Sequence, residues 1–175
     1  MPQVESAVVV LVPQAEELRD WYRDRYAPGA VFDAPAHITL IYPFKPLAAI
    51  DDRVQDTLRA CCGGVPAFAF TLIRLEYFPD LTVYLTPEPA EPFRELTLAL
   101  WSHFPETPPY RGRYPTIVPH LTLGRADDPA SAATIAQDFA AVARDKSPIR
   151  GDAAEVALMD TSAGVWELQT SFALG

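Results

Sequence analysis

Two stretches decide how this chain is read: "AHITLIYPF" (36–44) and "VPHLTLGR" (118–125). Both contain His-x-Thr-Leu, as His37-Ile38-Thr39-Leu40 and His120-Leu121-Thr122-Leu123. Each stretch has the β-branched and apolar character of a strand, and in a strand alternate side chains share a face. His37 and Thr39 therefore point to one side, with Ile38 and Leu40 on the other. His120 and Thr122 likewise share a face, backed by Leu121 and Leu123. A lone histidine on a strand is most simply a packed residue. The same imidazole–hydroxyl pair presented twice is a constellation.

Outward from the two motifs the chain repeats one order of elements. "SAVVVLVP" reads as a strand, and "AEELRDWYRDRY" as a helix with Leu18, Trp21, Tyr22 and Tyr26 on one stripe. The first histidine strand follows, and then "IDDRVQDTLRACCGG", a helix carrying Val54, Leu58 and Cys61 and ending at Gly63 and Gly64. Two strands come next, "FAFTLIRLEYF" and "LTVYLTP", separated by the turn dipeptide "PD". From "LTVYLTP" the order begins again. A helix bears Phe93, Leu96, Leu100 and Phe104, and a proline-rich loop leads to the second histidine strand. The next helix has Asp128 as its cap, Pro129 in its first turn and Ala132, Ile135, Phe139 and Val142 along one face. "AEVALMDTS" and "VWELQTSFAL" then close the chain as a strand pair turning at Ala163 and Gly164. The pattern is that of an internal duplication. It predicts one domain over residues 1–175, with lobes of roughly 1–80 and 81–175, the strand "LTVYL" shared between them and strands exchanged across the boundary.

Composition narrows the functional classes. The chain has 175 residues, 49% of them hydrophobic and 21% charged, enough to bury a sizeable core. A net charge of −9 argues against a broad grip on duplex DNA, which needs many cations along the backbone. No apolar run has the length of a membrane span, and the start "MPQVESAVVVLVPQ" lacks the basic region and cleavage site of a signal peptide. A cytoplasmic monomer is the expectation. The only two cysteines, Cys61 and Cys62, are adjacent and read as helix packing, not as a disulfide or a metal knuckle.

If a pseudo-twofold axis relates the lobes, the His-Thr pairs face each other across one cleft. In-line displacement at phosphorus needs a base on the attacking oxygen and an acid on the leaving oxygen, on opposite sides of the phosphate. One neutral and one protonated imidazole serve that need, and threonine hydroxyls donate to the non-bridging oxygens. The chemistry requires neither metal nor cofactor. A zinc site of His37, His103 and His120 has no short ligand pair to support it, and His103 reads instead as a helix C-terminal residue. Trp21, Trp101 and Trp166 read as core.

"HITL" and "HLTL" in two halves of a chain of this size resemble the paired motifs of the two-histidine phosphoesterases, the superfamily of the 2′–5′ RNA ligase-like proteins and cyclic phosphodiesterases. The resemblance extends over nearly the whole chain, because the order of strands and helices also matches. It implies an α+β fold of two pseudo-symmetric lobes, antiparallel sheets lining a central cleft and helices packed outside. It implies metal-independent opening of 2′,3′-cyclic phosphates, or related cyclic phosphodiesters, on nucleotides or RNA ends. By motif position the catalytic pair falls on His37 and His120 and the phosphate-binding hydroxyls on Thr39 and Thr122.

Five neighbours are candidates for substrate contact. Arg125 follows the second motif as an arginine does in many relatives. By strict alternation, however, it shares parity with Leu121 and Leu123 and points away from the cleft, unless Gly124 lets the strand bend. Tyr42 has the same parity, and packing is its expected role. Tyr110, Arg111 and Arg113, with Tyr114, belong to the long loop before His120, which either covers the cleft or is a proline-stiffened surface loop. The rival to an enzyme is a binder that holds a phosphorylated nucleotide or RNA end in the same cleft without turnover. Substrate identity, the direction of cleavage and the assignment of acid and base are not encoded in these motifs.

Overall fold

The computed structural model describes residues 5–31, 33–145 and 148–175. Within them, twelve strands and helices follow the predicted order with one addition. β1 (Ser6–Leu11), α1 (Glu16–Tyr26), β2 (His37–Ile41) and α2 (Asp52–Gly63) form the first run. β3 (Phe68–Tyr77), β4 (Thr82–Glu88), α3 (Glu91–His103) and β5 (Leu121–Arg125) continue it. α4 (Pro129–Asp145), β6 (Ile149–Ala153), β7 (Glu155–Asp160) and β8 (Glu167–Ala173) complete it. Local chemistry sets several boundaries. The Asp51 carboxylate accepts from the Val54 N–H at 2.9 Å to start α2, and Asp128 accepts from the Ser131 N–H at 2.7 Å to start α4. The short strand β6 was not expected from the sequence. Its "IRGDA" alternates inward Ile149, Gly151 and Ala153 with exposed Arg150 and Asp152, a pattern of only five residues with a glycine at its centre, and Gly151 is required because a Cβ there would run into the Phe70 ring.

Two four-stranded antiparallel sheets result, in the orders β2-β1-β7-β8 and β5-β4-β3-β6. They correspond position by position, with a histidine strand at one edge of each. Neither sheet follows a boundary at residue 80, since each draws strands from both halves of the chain. β4 is not shared between sheets as expected; it lies inside one, between β5 and β3. What crosses is β3 in one direction and the β7–β8 hairpin in the other. The helices cross too, α1 packing on β5 and α3 on β2.

One continuous core lies between the helices and the inner sheet faces, from Val8, Val10, Ile38 and Ile41 to Val83, Leu85, Leu121 and Leu123. The apolar stripes of the four helices supply its other side, including Leu18, Tyr22, Leu58, Phe93, Leu96, Leu100, Ile135 and Phe139. At about 25 cal/mol per Å² of apolar surface removed from water, this cluster is the main stabilising term of the fold. It also brings the two edge strands β2 and β5 into contact, although they belong to different sheets. The second functional strand is thereby held against the first by packing, not by a ladder of hydrogen bonds.

Candidate functional site

The two histidine strands carry the same irregularity. In β2 the pairing with β1 runs Leu11↔His37, Val10↔Ile38 and Val9↔Thr39, then jumps to Val8↔Ile41, so that Leu40 is an extra residue. In β5 the pairing with β4 runs Leu85↔Leu121 and Tyr84↔Thr122, then jumps to Val83↔Gly124, so that Leu123 is extra. Each bulge falls three residues after its histidine. A bulge resets the alternation beyond it. Thr82, which shares a face of β4 with Tyr84, pairs with Arg125, so Arg125 lies on the face of Thr122 and not with the core leucines. The expectation from strict alternation is corrected here: Leu121 and Leu123 are both buried, and Arg125 nevertheless points to the cleft side. Tyr42 packs as expected, and only its face is corrected. It packs with Ala7, Val9, Ala157 and Met159, on the face of β1 that pairs with His37 and Thr39. The bulge falls at Leu123 and Gly124, the bend that turns Arg125 to the cleft, and Gly124 also makes room for α1, because a Cβ there would collide with the ring of Tyr22.

Both imidazoles are oriented by the backbone just before them. His37 Nδ1–H donates to the Pro35 carbonyl at 2.8 Å, and His120 Nδ1–H donates to the Val118 carbonyl at 2.7 Å. In each case the acceptor belongs to the residue two positions earlier. Committing Nδ1 in this way leaves Nε2 as the nitrogen available for proton transfer, and it stabilises the ring when it is charged.

The surroundings of the two rings differ. His37 lies against the indole of Trp166, with centroids 4.8 Å apart, and Tyr42 lies 5.5 Å from the same indole. The approach to His37 is clamped from α1: Glu16 accepts from the Ala36 N–H at 2.5 Å, and Arg19 donates to the Ala34 carbonyl at 2.9 Å. Burial pushes the His37 pKa down to about 4, against the raising effect of the Pro35 carbonyl, with nearby Arg19 and His120 lowering it further. His120 is enclosed by Phe78 at 5.0 Å, Tyr84 at 5.4 Å and Tyr110, stacked at 6.3 Å. Burial lowers its pKa as well, opposed by the Val118 carbonyl and by the carboxylate of Asp80. A proton on His120 disfavours one on His37, a smaller effect than the burial of His37 itself.

The loop at 105–119 sends one side chain inward. The Tyr110 N–H donates to the Tyr42 carbonyl at 2.8 Å, and its hydroxyl lies near that of Thr39. Tyr110 and Arg111 adopt left-handed backbone angles (φ 51° and 57°), followed by Gly112 at φ 69°. Each non-glycine residue in that region costs about 1–2 kcal/mol. Arg111, a candidate for phosphate contact, turns instead to Glu5 at 2.5 Å, at the end of β1 remote from the residue that pairs with His37. Arg113 is exposed on the same turn, and Tyr114 packs edge-on against Tyr110 at 5.7 Å.

The structure thus brings His37, Thr39, Tyr42 and Tyr110 together with His120, and places Thr122 and Arg125 on the same face as His120. Sequence reading missed Trp166, Phe78, Tyr84 and Asp80. Tyr84 was legible in principle, since "LTVYLT" alternates core residues with Thr82, Tyr84 and Thr86. Trp166 was not, because a turn residue's direction depends on the fold. A groove of about 450 Å³ runs between α1 and the segment leading into β2, lined by Trp166, Pro35, Asp33, Asp20 and Arg23 among others. His103 is the last residue of α3, its Nδ1–H donating to the Ala99 carbonyl at 2.9 Å. Among the described residues no three His, Cys, Asp or Glu side chains are grouped to hold a metal ion, and no helix is long and apolar enough to cross a membrane.

A family model described as the 2′–5′ RNA ligase superfamily matches residues 8–165. No curated protein matches the chain significantly by sequence. Among solved structures, the fold is similar to Escherichia coli LigT in its apo form, with TM-score 0.65, 19% identity, and 98% of this chain and 97% of that one covered. The same protein complexed with 3′-AMP aligns with TM-score 0.65 at 18% identity, covering 98% of each chain. The protein TT0787 of Thermus thermophilus aligns with TM-score 0.65 at 20% identity, covering 97% of each.

Proposed function

Because the chain belongs to the 2′–5′ RNA ligase superfamily of two-histidine phosphoesterases, we propose that it is a metal-independent phosphodiesterase that opens 2′,3′-cyclic phosphates, or related cyclic phosphodiesters, of nucleotides or RNA ends. The observation that carries this reading is the repeated geometry of the two strands. Each has a histidine whose Nδ1 is committed to a backbone carbonyl and a threonine two residues on, followed by a bulge that turns one further side chain to the cleft.

In the proposed reaction one imidazole, neutral at Nε2, takes a proton from water as the water oxygen bonds to phosphorus. The other, protonated at Nε2, gives its proton to the ribose oxygen as the P–O bond breaks, so the two rings exchange protonation states over one turnover. Thr39 and Thr122 donate to the non-bridging oxygens, and the Arg125 guanidinium offsets their charge. The anionic phosphate favours the imidazolium and so counteracts the burial that lowers both histidine pKa values. The complex of E. coli LigT with 3′-AMP makes nucleotides with a ribose phosphate the first substrates to test.

The deciding experiment is product analysis on a panel of 2′,3′-cyclic nucleotides, cyclic-ended oligoribonucleotides and ADP-ribose cyclic phosphate, with and without chelator. Chelator-resistant opening is expected, and the product's 2′- or 3′-phosphate reports the orientation in the cleft. Tight binding without product over long incubation would instead favour a non-catalytic binder.

A further inference from the structure

Tyr110 is the one residue of the 105–119 segment that reaches both motifs. Its ring stacks on His120, and its hydroxyl meets Thr39 on the opposite strand. Accepting the cleft as a phosphodiester site, we propose that Tyr110 is a further catalytic residue, a third hydroxyl donor to the phosphoryl oxygens beside Thr39 and Thr122, held in place by the left-handed turn at 110–112.

Three observations support this over packing or base stacking. First, Tyr110 is in neither apolar cluster of the protein, so its ring is not there to fill a core. Second, one ring face lies along His120 and Tyr114 abuts it edge-on, so the residue's free chemistry is at its hydroxyl. That hydroxyl lies near the very threonine the mechanism assigns to phosphate. A phosphate oxygen arriving between the two accepts from each hydroxyl. Third, the backbone is bent to deliver it. Two successive non-glycine residues in the left-handed region are uncommon, and such strain clusters at functional sites. The turn is fixed by the Tyr110 N–H on the Tyr42 carbonyl, the Arg111 N–H on the Pro108 carbonyl at 3.0 Å and the Arg111–Glu5 pair. Burial raises the phenol pKa above its usual value, so it stays a donor across the range in which the histidines titrate.

The test compares wild type with Tyr110→Phe, which keeps the ring and removes the hydroxyl. Its readouts are steady-state turnover of a 2′,3′-cyclic nucleotide and calorimetric binding of 2′-AMP and 3′-AMP. Removal of one oxyanion donor typically costs about 10²–10³ in kcat. With two threonines still donating, we expect a fall of about tenfold in kcat, KM within about twofold, an unshifted pH profile and weaker binding of at least one nucleotide. A Phe variant with wild-type kcat and wild-type nucleotide affinity overturns the proposal while leaving the phosphodiesterase reading intact. If wild type binds nucleotide without turning over any cyclic phosphate, the enzymatic reading fails, and weakened binding by the Phe variant still upholds the hydroxyl contact. If wild type neither turns over nor binds, both fall. Tyr110→Leu serves as a second variant, expected to lose more activity and to move the limb of the pH profile set by His120, because it also strips the stacked ring.

Discussion

The two sheets present equivalent strands to the cleft and unlike walls behind them. Beside His37 the cleft face continues as Val9 and Ala7 on β1 and Ala157 and Met159 on β7, all at most 1% exposed and roofed by Leu11, Tyr42 and Trp166. Beside His120 the matching positions are Thr82, Tyr84 and Thr86 on β4 and Glu76 and Arg74 on β3. At the position five residues after the histidine, one strand carries Tyr42 and the other Arg125. What the duplicated strands retain in common is the part that orients an imidazole and a hydroxyl. What differs is the layer behind them, apolar on one side and charged and hydroxylated on the other.

The sharpest way to break this comparison is at the shared part. His37→Ala and His120→Ala should each lower turnover of a cyclic nucleotide about 10³-fold, within the range of general acid–base catalysis, with unchanged circular dichroism. If one variant keeps most of the activity, the strands are not functionally equivalent. The next largest effects should separate the walls. Arg125→Ala is expected to raise KM about tenfold, with a penalty that shrinks at high salt. Tyr42→Ala, at the matching position, should instead lower stability by about 2 kcal/mol, read from urea unfolding, because it unroofs the small apolar cluster. Equal KM effects at both positions would show that the walls do not differ in function.

The pH dependence gives a third test. Turnover needs one histidine charged and one neutral, and both pKa values lie below 6.5 in the free protein. kcat/KM should therefore peak on the acid side of 6.5 and fall as pH rises through it, whereas kcat, measured with the anionic substrate bound, should peak at higher pH. Stability runs in the opposite direction. Folded His37 resists protonation until about pH 4 while the unfolded chain protonates near 6.5, so its contribution is complete above 6.5 and is lost as pH falls toward 4. His37→Gln should flatten that decline in denaturation series at stepped pH. The smallest effect is expected at Arg111→Ala, whose surface ion pair with Glu5 should be worth less than about 1 kcal/mol in thermal unfolding.

Much of this was legible in the chain. The helices were readable because each carries an apolar stripe and, for α2 and α4, an aspartate cap. The histidine and threonine strands were readable because a period of two holds up to the threonine. It fails one residue later, where Leu40 and Leu123 bulge, and so strict alternation alone puts Tyr42 and Arg125 on the wrong face. Nothing local announces a bulge in "TLIY", since the extra leucine is as apolar as a core residue should be, and in "TLGR" the one local signal is Gly124. Trp166 and Phe78 escaped for a different reason. They belong to turns whose direction is set by the neighbouring strand, and β8 and β4 find those neighbours only in the assembled sheets.

The exchange of strands between the sheets bears on how the chain can be cut. A fragment ending at residue 80 would hold β1 without β7, and β3 without either β4 or β6. Its β1 and β3 edges would be open rows of unpaired amides and carbonyls, each inviting a foreign strand. The complementary fragment would carry the same defect in mirror form. Two such pieces, co-expressed, are each other's natural partner, so a split protein should regain its cleft only on reassembly, and neither half alone should remain soluble and monomeric.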